Sequence, residues 1–82
     1  LTSVYFYIKD SEGQYLDNGA GWTKDSSKAA EWSCVGNGNE EGTYYVQLNT
    51  SSTQKWLLFN STSPSLTENT KERTAFSFND NW

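Results

Sequence analysis

The chain contains no histidine, a single cysteine and only six Lys and Arg among 82 residues. Each shortage excludes something. Without histidine, the commonest general base is absent, and with it the usual Ser-His-Asp and histidine–metal chemistry. One cysteine cannot form an internal disulfide, and without a histidine it is a poor nucleophile pair. Cys34 is expected to be a small buried apolar residue, as free cysteines commonly are. The six basic residues are scattered in a chain of net charge −4. A nucleic-acid binder is expected to carry a basic face that neutralises phosphates, so nucleic acid is not an expected partner. No apolar run approaches the roughly 20 residues of a membrane helix, and no polybasic anchor is visible, so no membrane insertion is expected. Gly-rich stretches here join strands rather than open helices, which argues against a phosphate loop. No metal or cofactor motif is present. The ten Asp and Glu read as solvated surface rather than a paired-carboxylate hydrolase site. An enzyme is therefore not expected.

What the chain does have is aromatic residues: four Trp, five Tyr and four Phe. A domain this small buries only about 60–65% of its unfolded surface. Buried aromatics offset that, each removing roughly 150–250 Å² from water, so an aromatic core is expected. The opening on Leu1 without a leader pattern is expected of a processed form. Two glycosylation sequons, Asn49-Thr50-Ser51 and Asn60-Ser61-Thr62, fall in expected loops. They favour a secreted or extracellular setting, with the cytoplasm left open.

The strongest pattern is that the chain repeats itself. Tyr5-Phe6-Tyr7-Ile8, Gly13-Gln14-Tyr15-Leu16, Trp22 and Trp32 are followed by Tyr45-Val46-Gln47-Leu48, Gln54-Lys55-Trp56-Leu57, Leu66 and Phe76. Ile8 and Leu48 lie 40 apart, and Trp32 and Phe76 lie 44 apart. Self-similarity at such a period marks a repeat architecture. β-Branched and aromatic runs bounded by Asn, Asp and Gly predict strands over Val4–Ile8, Trp32–Val35, Tyr44–Leu48, Trp56–Phe59 and Ala75–Phe78. Shorter ones are expected at Tyr15–Leu16, Gly21–Lys24 and Ser65–Glu68. Lys24–Glu31 and Asn69–Thr74 each have the length of one helical turn. The expectation is an all-β chain, one domain over 1–82, built of two four-stranded repeats of about forty residues, near 3–36 and 43–80. Gly36–Gly42 is a turn between them, since neither half could bury a core alone.

Tyr7-Ile8 with Gly13-Gln14-Tyr15-Leu16, and Leu48 with Trp56-Leu57, resemble lobes of a β-trefoil. That fold is shared by ricin-B-type lectins, fascin-like actin bundlers and mycocypin-like protease inhibitors. A trefoil closes with three lobes, and this sequence has two. Tyr7-x-x-Asp10-x-x-Gly13 and Ser33-x-Val35 echo a βγ-crystallin-type Greek-key sandwich instead, without a well-formed calcium signature. Ricin-type lectins carry Asp after the Leu of the second strand, where it accepts hydrogen bonds from sugar hydroxyls. Leu16-Asp17 matches this and Leu57-Leu58 does not. The Gln of the family's Gln-x-Trp is replaced in Ala30-Glu31-Trp32 and in Thr74-Ala75-Phe76.

The loop from Asp17 through Asn18 to Gly21 is thus the leading polar constellation, with Trp22 either a ring for a sugar to pack on or part of the core. Asn60 opens the corresponding loop in the second half. The resemblance implies a non-catalytic, lectin-like carbohydrate-binding module taking a glycan or glycoprotein. Weak single sites would need a homo-oligomer for avidity. A protease inhibitor acting through Gly36–Glu41 or Asn60–Ser65, or a crystallin-like structural protein, are the other readings. Trp82, outside the repeat, is either an exposed contact or tucked beneath the barrel.

Overall fold

Alternating apolar residues settle into short antiparallel strands in the computed structural model, which describes residues 4–49, 52–60 and 63–77. The strands are β1 (Tyr15–Leu16), β2 (Trp22–Thr23), β3 (Trp32–Gly36), β4 (Thr43–Leu48), β5 (Trp56–Asn60), β6 (Ser63–Thr67) and β7 (Phe76–Ser77). The protein is all-β: one 3-10 turn, Ser26–Lys28, is its sole helical element among the described residues. No helix there is long and apolar enough to cross a membrane. β1 and β2 form a small hairpin sheet. The larger sheet runs β3-β4-β5-β6, with β7 also pairing β4.

Register follows the apolar pattern. Trp32 faces Leu48 and Cys34 faces Val46 across β3 and β4, and Leu57 faces Leu66 across β5 and β6. Residues directly opposite share a sheet face, so these pairs set which side is buried. Leu16, Ala20, Ala30, Trp32, Val46, Leu48 and Leu57 form the buried cluster, with Phe6, Ile8, Trp22, Phe59, Leu66 and Phe76 packed around it. Phe59 and Phe76 meet edge to face at 5.7 Å. On the opposite side of β4, Tyr45 and Trp56 meet edge to face at 6.4 Å. The Arg73 guanidinium lies 3.7 Å from the Tyr45 ring centroid and 4.4 Å from that of Trp56. Its Nε donates to the Thr70 carbonyl at 2.8 Å, which fixes the cation over both rings.

Three expectations need correction. Val4–Ile8 is not a continuous strand: it makes isolated bridges, Phe6 to Trp32 and Lys9 to Tyr15. The segment changes partner within three residues, leaving no room for a ladder. Asn69–Thr74 forms turns without helix, because Asn69 Oδ1 accepts from Lys71 N–H at 3.0 Å and competes with helical bonding. Cys34 is exposed rather than buried. Trp32 and Ser33 are buried, and then β3 runs out past the packed region, so Cys34, Val35 and Gly36 all meet solvent. Phe78, matched to Cys34 by the repeat, and Trp82 lie outside the described residues. The Lys24–Glu31 expectation reduces to the single turn at Ser26–Lys28.

The first tight turn shows how local chemistry sets the bend. Asp10 Oδ1 accepts from the N–H groups of Glu12 at 2.9 Å and Gln14 at 2.8 Å. Gly13 takes φ +81, which a side chain would strain.

Candidate functional site

Asp17 directly follows the fully buried Leu16, so its loop is anchored from below. The Asp17 N–H donates to the Gly21 carbonyl at 2.8 Å, and Ala20 N–H donates to the Asp17 carbonyl at 3.0 Å. The Asp17 side chain completes the loop: Oδ1 accepts from Gly19 N–H at 2.9 Å and from Gly21 N–H at 2.8 Å. Among the described residues, both of these bonds fall on Oδ1 and none on Oδ2. The carboxylate is thereby oriented through one oxygen and keeps acceptor capacity on the other.

Glycine at position 21 leaves room for this arrangement. A Cβ there would stand 3.3 Å from Asp17 Oδ2 and 3.4 Å from Oδ1, close enough that the carboxylate would have to shift slightly. Ala20 adopts φ 62 although it is not glycine. Its side chain is buried, so core packing holds the loop in a backbone state that costs roughly 1 kcal/mol.

Beside Asp17 lies a shallow depression of about 430 Å³ lined by Asp17, Asn18, Gly19, Ser27 and Lys28. The Asp17–Ala29 bridge brings the 3-10 turn alongside the loop. Asp25 caps that turn, accepting at Oδ1 from Ser27 N–H at 3.0 Å and from Ser27 Oγ at 2.7 Å. The hydroxyl and then the backbone N–H of Ser27 hold the Asp25 carboxyl below its ordinary 3.8, with Lys28 adding to the effect. The depression thus joins an anion, a cation, an amide and a hydroxyl.

Compared with known protein families, curated proteins and solved structures, the chain matches none.

Of the residues singled out from the sequence, the structure brings Asp17 and Asn18 together in the depression, with Gly21 supporting them. Trp22 is half-buried and packs on the core, opposite Leu16 in the hairpin. Asn60 sits at the end of β5, in the other half of the chain, and is not among the residues lining this depression. Asn49 is buried rather than displayed on a loop, so its sequon is a poor glycan acceptor in the folded protein, while Asn60 is exposed. Ser27 and Lys28 are not picked out by the sequence as site residues. The sequence signal for them is Asp25-Ser26-Ser27, a capping pattern that places a turn but not its neighbour across the fold. Among the described residues no cluster of three or more Cys, Asp or Glu could hold a metal ion.

Proposed function

We propose that this protein is a non-catalytic carbohydrate-binding module whose site is the Asp17 loop. The observation that carries the reading is the Asp17 carboxylate, pinned at Oδ1 by two backbone N–H groups with Oδ2 left to accept. A fixed carboxylate suits a sugar, because it accepts from hydroxyl groups without a further ordering cost on binding. Asn18 and Lys28 bring donor groups beside it, and the Ser27 hydroxyl, whose hydrogen is given to Asp25, can still accept. The open shape of the depression fits a sugar residue at the tip of a longer glycan better than an enclosed small molecule.

The trefoil-like repeat reading is supported by the pairing scheme. In the first half, the segment containing Phe6 and Lys9 pairs with both β3 and β1, and β1 pairs β2. In the second half, β4 pairs with both β7 and β5, and β5 pairs β6. β3 then joins the halves by pairing with β4. On this reading each half is one lobe, and a secreted, oligomeric form would supply avidity to individually weak sites.

The test is a screen of wild type and Asp17→Ala against immobilised oligosaccharides. Wild type is expected to retain a defined saccharide, and Asp17→Ala to lose about tenfold or more in affinity, worth at least 1.4 kcal/mol. The thermal midpoint of the variant should move little, since the loop's bonds are exposed. A wild-type blank would sink the reading and direct attention to protease inhibition through the exposed turn after β3.

A further inference from the structure

Phe6 and Trp32 exchange two backbone hydrogen bonds, at 2.7 and 2.9 Å. In an antiparallel pair this register sets Tyr5 across from Ser33 and Tyr7 across from Glu31. Side chains alternate between faces, and Phe6 and Trp32 point into the core. Tyr5, Tyr7, Glu31 and Ser33 therefore share the other face of the sheet, on which Ser33 is itself buried. The register continues onto β4, where Ser33 faces Gln47 and Asn49 N–H donates to the Glu31 carbonyl at 2.8 Å. One strip of sheet thus offers two phenols, the Glu31 carboxylate and the Gln47 amide, while Ser33 and Asn49 on the same strip are buried.

The rings at its edge are unusually open for neighbouring aromatics: Tyr5 is 43% exposed and Tyr7 52%. They stand 5.9 Å apart at an interplanar angle of 75°. Asn49 Nδ2 donates to Glu31 Oε1 at 3.4 Å, which steadies the carboxylate beside them. Tyr5, then burial, then the side-chain hydrogen bond with Tyr5, and finally the charge of Glu31 together hold the Tyr7 phenol above its ordinary 10.0. The Glu31 charge is the smallest of these influences, and the neighbouring Tyr5 the largest.

We infer that this outer strip is a second saccharide site, in which a pyranose ring lies against Tyr7 and its hydroxyls meet Glu31 and Gln47. An exposed aromatic ring offers the apolar surface that sugar C–H groups pack on, with a polar tip at its rim. The adjacent acid and amide supply directional acceptors and donors, the combination a neutral polyhydroxyl ligand needs. The inference rests on the carbohydrate-binding reading but uses none of the Asp17 loop. Two sites on one chain would also give a module a route to avidity without assembly.

Saccharide binding is measured for wild type, Asp17→Ala, Tyr7→Ala, Glu31→Gln and the Asp17→Ala/Tyr7→Ala double variant. Thermal midpoints run in parallel report whether each substitution leaves the fold intact. Tyr7→Ala and Glu31→Gln are each expected to weaken binding about tenfold, and the double variant to bind nothing. Full binding by Tyr7→Ala and Glu31→Gln, with loss confined to Asp17→Ala, overturns the second site and leaves the Asp17 reading standing. Loss in the Tyr7 variant with Asp17→Ala unaffected keeps this site and overturns the other. A wild-type blank overturns both. A tetramethylammonium titration that moves the Tyr7 ring resonances, where sugars do not, overturns the inference in favour of a cation-binding face.

Discussion

Trp32→Ala is expected to destabilise the fold by about 3–5 kcal/mol, the usual range for emptying a large aromatic core position. Trp32 is fully buried, bonds to Phe6 through its backbone, stands opposite Leu48 and belongs to a buried cluster drawn from both halves of the chain. A chain of this length has roughly 4–12 kcal/mol in total, at about 0.05–0.15 kcal/mol per residue. The variant should therefore lose a large share of its stability, and unfold at room temperature if the total lies near the low end of that range. Trp32→Phe should cost much less. The Trp32 indole Nε1 is buried without a hydrogen-bond partner among the described residues. Such an orphaned donor costs about 1–3 kcal/mol, and removing it offsets part of the lost packing area. Urea denaturation followed by far-ultraviolet circular dichroism reads both variants. An alanine midpoint equal to that of wild type would mean that Trp32 does not organise the core.

Leu16→Ala and Leu57→Ala are each expected to cost about 2–5 kcal/mol, with different local consequences. Both side chains are fully buried in the same cluster. Leu16 N–H donates to the Ile8 carbonyl at 2.9 Å, and its own carbonyl accepts from Ala30 N–H at 3.0 Å. It therefore ties the first segment and the approach to β3 to the residue directly beneath Asp17. Leu57 accepts from Thr74 N–H at 3.4 Å and anchors the other half. Amide hydrogen exchange separates the two cases. The Asp17 and Gly21 amides should lose protection in Leu16→Ala at denaturant levels where Leu57→Ala still protects them. Equal loss in both would show that the loop opens only with the whole domain.

The position of most strands and much of the core can be read from residue types: Tyr-Val-Gln-Leu alternates and buries Val46 and Leu48, while Trp-Leu-Leu-Phe is apolar on both faces and buries Trp56 and Leu57 alike. Trp32, Leu16, Leu48 and Leu57 are buried for that reason. What cannot be read locally is which element covers a given stretch. Cys34 sits in register with buried Val46 yet meets solvent, because β3 outruns the packing. Tyr5 to Ile8 alternates plainly, but only the bridge to Trp32 tells which of its two faces is inward. Ser27 and Lys28 reach the Asp17 loop through a single long-range bridge that no spacing encodes. Asn49 looks like a loop residue and is buried because Glu31 draws in both its backbone and its side chain.

The turn between β3 and β4 is exposed from Gly38 through Gly42, while the strands on either side stay in register from Trp32 and Leu48 to Gly36 and Tyr44. A protease reaching that turn would cut the backbone without touching the ladder beside it. The nicked protein would keep its shape as two pieces held by strand pairing and the shared core, and would come apart only in denaturant. Joined in this way, the halves are suited to being made as separate peptides and recombined, with either one carrying a label of its own.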